Sequence, residues 1–369
     1  MNKEELQAQA IDLLKQLIST PSFSGEEERS ASLIENFLKE SGVEVKKHIN
    51  NVWACNKYFS HSKPTILLNS HHDTVKPNKG YTLNPFTPIE KDGRLFGLGS
   101  NDAGGSLVSL VAAFLYFHDL KDIKYNLILA TTAEEEISGK NGIESLLKNE
   151  AFLQVTAGTP ASPLGDGGCG IVGEPTLLQM AVAEKGLMVL DCVAHGKAGH
   201  AARNEGENAI YKAMMDMEWI YTYQFEKISE FLGPVKMTVT SIETENKAHN
   251  VIPSECRFIV DVRLKELYTH EEILEIIQKN IHSSVKMRSG RLRSSMIPVE
   301  HPLVQAGMKL GKTYYGSPTS SDKALMPFPA LKIGPGDSAR SHTADEFIFV
   351  DEIRQGIELY IQLLKQLLQ

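Results

Sequence analysis

Four apolar runs along this chain each end abruptly in a histidine or an acidic residue. Residues 64–70 (PTILLNS) read as a buried strand and give way at once to His71-His72-Asp73. Residues 95–100 lead through Asn101 to Asp102, and residues 126–130 form a β-prone run followed by Glu134, Glu135 and Glu136. Residues 169–173 (CGIVG) end in Glu174-Pro175. A lone triple glutamate reads as a solvated, charged turn. Four runs that all stop at a possible ligand are harder to explain that way. Between them lie helical patterns at residues 4–17, 103–120 and 142–149, with another at 351–368. Ser24-Gly25-Glu26-Glu27 reads as the capped start of a further helix running to residue 40. Apolar strands alternating with helices predict a mixed or parallel sheet covered by helices, and such sheets bind ligands beyond the carboxyl ends of their strands.

From about residue 180 the pattern changes. Strands are expected at 187–193, 235–243, 256–264 and 285–292, with helices at 208–225 and 271–282. The order β-α-β-β-α-β is that of a ferredoxin-like domain. The chain then returns with a helix at 303–313, a loop at 316–322 and a strand at 330–334. The expected fold class is therefore α/β, with a ferredoxin-like α+β domain inserted into a helix-covered mixed sheet. Residues 1–179 are the first part of the main domain, 180–293 the insertion, and 294–369 the second part.

Composition narrows the function. A chain of 369 residues, 42% hydrophobic and 23% charged, is ordinary for a globular protein of two domains. A formal net charge of −8 argues against nucleic acid or anionic membrane as a partner. The first helix is too charged for the core of a signal peptide, and no run approaches a membrane span. Cys55, Cys169, Cys192 and Cys256 are scattered with no CxxC pair. Neither a thiolate zinc site nor a disulfide framework is suggested, and a cytoplasmic setting is expected.

His71, Asp102, Glu136, Glu174 and His342 make a set of two imidazoles and three carboxylates without a thiolate. That mix suits Zn2+, Co2+ or Mn2+, and an odd carboxylate can bridge two ions. Asp73, two residues beyond His71 on an extended backbone, is expected to hold the far ring nitrogen of His71. Glu135, beside a candidate ligand, is placed to take a proton from water that the metals make acidic. His72, His249 and His301 have no such support and are expected to be structural.

The segments HHDTV, GLGSNDAGG, TTAEEEISG and GEPT, with the inserted domain and the late histidine of SHTADEF, resemble the M20 family of dinuclear zinc amidohydrolases. The resemblance covers essentially the whole chain, with the motifs in family order. It implies two zinc ions per chain, with Asp102 bridging, His71 and Glu174 on one ion, and Glu136 and His342 on the other. It makes Glu135 the general base and Asp73 the orienting carboxylate. The family usually has Asp-Glu-Glu where this chain has Glu134-Glu135-Glu136, and a shift of one residue would make Glu134 the base. GKAGHAARNEGENAI places His200 where relatives donate a histidine to the partner subunit's site, which implies a homodimer formed through the inserted lid domain. HNVIPSECRFIVDVR resembles a segment whose Asn and Arg bind substrate, here Asn250 and Arg263. The hydroxyls of SPTSSD, Ser320 among them, and the Gly334 loop of KIGPGDSARSHTADEF complete the expected substrate contacts. That last loop resembles the acetylornithine and acetyl-lysine deacetylases more than the dipeptidases. The implied reaction is hydrolysis of a small N-acyl amino acid, of acetylornithine type as in arginine biosynthesis. Succinyl-diaminopimelate desuccinylase and a dipeptidase are the enzymatic alternatives. A binding protein that keeps the fold without catalysis is the non-enzymatic one, and it predicts decayed ligand positions, which this chain does not have.

Overall fold

The computed structural model describes residues 2–159, 161–203 and 205–368. It divides into two compact units, one of residues Met1–Val182, Ile297–Tyr315 and Ser321–Gln369, the other of Ala183–Met296 and Gly316–Ser320. The first division falls three residues after the expected boundary. Gly316–Ser320, expected in the main domain, goes with the second unit because the Lys185 amide donates to the Ser317 carbonyl and the Ser320 hydroxyl to the Lys185 carbonyl.

The first unit is built on a mixed sheet. Strands Thr65–His71, Asn126–Thr132 and Cys169–Val172 run parallel, with Ala330–Lys332 parallel to the last of them. The hairpin Val45–His48 and Asn51–Cys55 adds to one edge antiparallel, and residues 180–182 continue the other. Thr65–His71 and Asn126–Thr132 are buried at every position, as strands covered on both faces must be. Helix Gly105–Phe117 packs between Lys3–Ile18 and Val350–Leu368. Its start comes close to its neighbours because it is glycine: a Cβ on Gly104 would lie 2.4 Å from the Gly99 carbonyl, and one on Gly105 would lie 2.3 Å from Ile348. The expected helix at 142–149 is the short helix Ile143–Leu147, and an unforeseen second one, Glu150–Thr156, follows it with the Asn149 side chain as its cap. A small sheet of Ile89–Lys91, Arg94–Phe96 and Phe347–Phe349 was not foreseen.

The second unit is a four-stranded antiparallel sheet. Its order is Lys236–Thr244, Glu255–Leu264, Gly186–His195, Ser284–Met287, the ferredoxin-like arrangement expected from the β-α-β-β-α-β pattern. The last strand is shorter than the expected 285–292. Alternate residues of Gly186–His195 and Glu255–Leu264 are buried against helices Ala209–Thr222 and His270–Asn280 around Phe258, Leu190 and Ile277. Asn208 caps the first helix, and Thr269 with Glu272 forms a capping box on the second. The two ends of the inserted segment are paired with each other, Met296 opposite Ala183 and Ser295 opposite Glu184.

Candidate metal centre

Seven of the residues singled out in the sequence converge in the first unit, at the carboxyl ends of its parallel strands. His71 is the last residue of its strand and is fully buried. Its Nδ1 lies 3.0 Å from the backbone carbonyl of Asp73, an acceptor, so Nδ1 carries the hydrogen and Nε2 is left to coordinate. Nε2 is 3.3 Å from Asp102 Oδ1 and 3.9 Å from Glu174 Oε1. On the other side of Asp102, Oδ2 lies 3.7 Å from His342 Nε2, which is 2.9 Å from Glu136 Oε2. The result is two triads, His71-Asp102-Glu174 and Asp102-Glu136-His342, each with its ligand atoms within 4.8 Å of one another. Asp102 belongs to both.

The Asp73 carboxylate does something other than expected. Its Oδ1 is 3.4 Å from His71 Nδ1, farther than its own carbonyl. Oδ1 instead accepts from the Glu135 amide at 3.0 Å, and Oδ2 from the Glu136 amide at 3.1 Å and the Ser24 hydroxyl at 2.7 Å. Asp73 therefore holds the acidic loop as much as the histidine. Ser24 does not cap the second helix, which begins at Glu28 after an N-cap, Glu27, that makes no side-chain cap bond.

The three glutamates part company in this loop. Glu134 has a left-handed backbone, φ 57°, and its carboxylate accepts from the backbone and side-chain nitrogens of Asn141 at 3.0 and 2.7 Å. Gly139 leaves it room, since a Cβ there would lie 2.0 Å from Glu134 Oε2. Glu135 is surrounded by His71, Glu174, Asp322 and Glu136; burial first, and then those carboxylates, hold its carboxyl well above the usual range against the opposing pull of His71. Glu136 faces His342.

Two buried carboxylates that the sequence reading passed over support this group. Glu346 accepts from the amides of Asn101, Asp102 and Gly99 at 2.8, 2.9 and 3.0 Å, and so fixes the turn that carries Asp102. Burial pushes it up to about 7. It lies inside the SHTADEF segment, four residues beyond His342, and an acid directly before the apolar run FIFV was the available signal. Asp322 accepts from the Thr132 hydroxyl at 2.6 Å, and burial raises it to about 6. Thr132 is the register partner of His71.

Burial alone would depress the His71 imidazole, but the Asp102 and Asp73 carboxylates at 3.3 and 3.4 Å, with Glu135 and Glu174 behind them, hold it well above 6.5. His342, itself in a left-handed conformation at φ 59°, is raised to about 9, chiefly by its bond with Glu136. Five carboxylates crowd these two imidazoles. Such an excess of negative charge, with nitrogen and oxygen donors only, fits divalent cations.

His72 is structural: its Nε2 meets the Asn50 carbonyl at 3.0 Å, Nδ1 meets the Ser30 hydroxyl at 2.9 Å, and burial lowers it to about 4. His301 caps helix Pro302–Lys309, and His249 is exposed. Gly334 is a packing residue, with its amide bonded to Thr176 Oγ1 and its carbonyl accepting from the Leu178 amide. A Cβ there would lie 2.3 Å from Ser106 Oγ. Its amide and carbonyl are thus both engaged within the protein.

The remaining residues belong to the second unit. His200 is exposed on a short ribbon, Gly199–His200 paired with Val251–Ile252, and the neighbouring Ala201 amide donates to the Asn250 carbonyl. Arg263 forms a bidentate pair with Asp261 at 2.8 and 3.0 Å. The Ser320 hydroxyl is bound to the Lys185 carbonyl at 2.7 Å.

Comparison with known proteins identifies the family. Residues 67–366 match the peptidase family M20/M25/M40. The succinyl-diaminopimelate desuccinylase of Orientia tsutsugamushi (strain Boryong) is 24% identical over 291 residues, which are 73% of this chain and 71% of that protein. The acetylornithine deacetylase of Proteus mirabilis (strain HI4320) is 28% identical over 390 residues, covering 96% of each. Among solved structures, the Bacillus subtilis YXEP protein, described as a dinuclear metal-binding peptidase of the M20 family, superimposes with a TM-score of 0.72 at 15% identity over 98% of both chains.

Proposed function

The chain belongs to peptidase family M20/M25/M40 and is an amidohydrolase of that family, and from that premise we propose that it cleaves the amide bond of a small N-acyl amino acid at a two-ion centre. The observation that carries the proposal is the pair of triads sharing Asp102. His71 and Glu174 would hold one ion and Glu136 and His342 the other, zinc first and cobalt or manganese as substitutes, with Asp102 between them. Such ions, when bound, make water acidic and polarise a carbonyl.

Glu135 is the general base in this proposal. It takes the proton of the attacking water as the new carbon–oxygen bond forms. It returns that proton to the amine nitrogen as the carbon–nitrogen bond breaks. Asp73 keeps Glu135 and Glu136 in place through their backbone amides. His200 is assigned to the developing oxyanion in a partner subunit, and Asn250, Arg263 and Ser320 to substrate; Arg263 must then exchange or share Asp261. An exposed apolar stripe on helix Ala209–Thr222 (Tyr211, Met214, Met215 and Tyr221, the last 84% exposed) supports a homodimer through the second unit.

An acetyl substrate of ornithine type is supported by a relative named for that activity that matches 96% of the chain, and a succinyl substrate of diaminopimelate type equally by relatives named for that one, among them one that also matches 96%. Among the described residues no helix is long and apolar enough to cross a membrane. The four unpaired cysteines suit a reducing, cytoplasmic setting. A hydrolysis panel of acetyl- and succinyl-ornithine, -lysine, -citrulline and -diaminopimelate tests the reading. One of these should be turned over at least tenfold faster than the rest. Cleavage of unblocked dipeptides alone would overturn it.

A further inference from the structure

Four successive backbone amides, those of residues 133–136, lie outside any helix or strand. Each donates to a side-chain oxygen brought in from elsewhere in the chain. Ala133 donates to Asn51 Oδ1 at 3.1 Å, and Glu134 to Glu27 Oε1 at 3.2 Å. Glu135 and Glu136 donate to the two oxygens of Asp73. Successive N–H groups in a turn form a concavity suited to an anion, and here two carboxylates of the same chain fill it. Amides withdrawn from water need acceptors, so these oxygens decide how the acidic loop is folded.

Nothing in the proposed hydrolysis uses Glu27. It is fully buried and stands 107 positions from Glu134 in the chain. Its Oε1 also accepts from the Gly25 amide at 2.5 Å, and its Oε2 from Asn50 Nδ2 at 3.0 Å. The helix that starts at Glu28 makes no use of this carboxylate. Its neighbours grip the end of the His71 strand: the Ser22 hydroxyl donates to the His72 carbonyl, the Ser24 hydroxyl to Asp73, and Ser30 Oγ meets His72 Nδ1. Glu27 reaches past that strand end to the acidic loop. The residue it holds, Glu134, is left-handed at φ 57°. Such a backbone is unfavourable for a residue with a Cβ and persists where its surroundings over-determine it. Glu27 fixes the amide of Glu134, and Asn141 fixes its carboxylate.

We propose that Glu27 is a positioning residue for the reaction. By holding the Glu134 amide it sets the turn from which Glu135 meets the attacking water. It acts through the backbone of Glu134 and takes no part in the proton transfers. This role rests on Glu135 being the base of the hydrolytic reading. Without the Glu27 oxygens the left-handed turn loses one of its two holds, and Glu135 is no longer kept beside His71 and Glu174.

Three substitutions of Glu27 in the zinc-loaded protein test this, on acetyl-ornithine or succinyl-diaminopimelate, whichever the wild type cleaves faster. Glu27→Leu removes both oxygens at similar bulk. It should lower kcat about tenfold or more, with KM and ion content by elemental analysis close to wild type. Glu27→Gln keeps an oxygen for the Glu134 amide, and Asn50 can turn its own amide to meet the new Nε2. Its kcat should stay within about threefold of wild type. Glu27→Asp keeps the charge but falls one methylene short, about 1.5 Å, and should lose kcat as the leucine variant does. If circular dichroism shows that Glu27→Leu does not fold, Glu27→Asp decides. Hydrogen exchange read by mass spectrometry should quicken about tenfold across residues 133–137 in Glu27→Leu and stay near wild type in Glu27→Gln. Ser30→Ala cuts bonds of the same segment to Glu27 and His72 without touching the loop, so it should lower the melting temperature and leave kcat unchanged. Wild-type kcat in Glu27→Leu, a glutamine variant as slow as the leucine one, ions lost in step with kcat, or Ser30→Ala slowed equally would each overturn this role. Exchange is read without turnover. A wild type that cleaves no compound of the panel, with a loop that still loosens in Glu27→Leu, would count against the hydrolytic reading and leave the grip of Glu27 on the loop standing.

Discussion

The left-handed backbone at Glu134 separates two adjacent carboxylates by purpose. It turns Glu134 towards Asn141 and leaves Glu135 beside His71 and Glu174. Glu135→Gln should lower kcat by about 10²- to 10⁴-fold, the usual contribution of general acid–base catalysis, with metal content by elemental analysis near normal. Glu134→Gln should lose one of its two bonds to Asn141, soften the loop by about 1 kcal/mol and keep most activity. The reverse outcome would move the base by one residue. Lys265 poses a different question. It is fully buried, its Nζ has no hydrogen-bond partner, and burial lowers it from 10.5 to about 8. Its folded value lies below the unfolded one, so at pH 7 the folded chain carries the whole burden of an enclosed charge. Between about pH 8 and 10.5 the unfolded state binds more protons, and stability rises with pH. Lys265→Met should raise unfolding free energy by about 1–2 kcal/mol at pH 7. That advantage should shrink through the window when denaturant melts are run at pH 7, 9 and 10.5. An advantage independent of pH would mean that charge burial is not its cause.

At the scale of elements, the strands that carry the centre were legible because each is an apolar run cut off by a ligand. The periodicity of 186–195 and 255–264 made the second unit equally plain. What was hidden depended on contacts between distant segments. Ser24-Gly25-Glu26-Glu27 has the composition of a helix cap, yet Ser24 reaches Asp73, 49 positions away. Residues 89–96 and 347–349 are strands only because they pair with each other, since three residues carry too little pattern to be read alone. Glu346 looks like a surface acid until three amides of the Asp102 turn converge on it. Gly334 is expected to contact substrate because it sits in a distinctive loop, and the packing around it adds a demand the loop does not reveal, the missing Cβ. Gly334→Ala would press on Ser106 Oγ and, at 2.5 Å, on the Glu174 carbonyl. It should destabilise the protein by about 1–3 kcal/mol and weaken metal retention against a chelator. An unchanged melting temperature with lowered substrate affinity would favour the substrate contact.

For the whole molecule, the role proposed for His200 would make a dimer the catalytic unit. His200→Ala and Glu135→Gln chains should each be nearly inactive alone. Co-folded in equal amounts, half the dimers are mixed and one of their two sites has both groups intact, so recovery should approach about a quarter of wild type. No recovery, with mixed dimers present by mass spectrometry, would return His200 to its own chain or to the surface. The pairing of Met296 with Ala183 has a consequence for how such a chain comes to be folded. Once the second unit has formed, the first experiences more than a hundred intervening residues as a gap of one strand spacing. While the second unit is unfolded, the same residues are a loop whose closure costs roughly 4 kcal/mol by the logarithmic law. The insertion is therefore an entropic brake until it folds and a short staple afterwards. Replacing it with a two- or three-residue turn between Val182 and Ile297 would leave the first unit a nearly local chain. Gly316–Ser320, which belongs to the second unit although it comes from a distant part of the sequence, would have to be replaced as well.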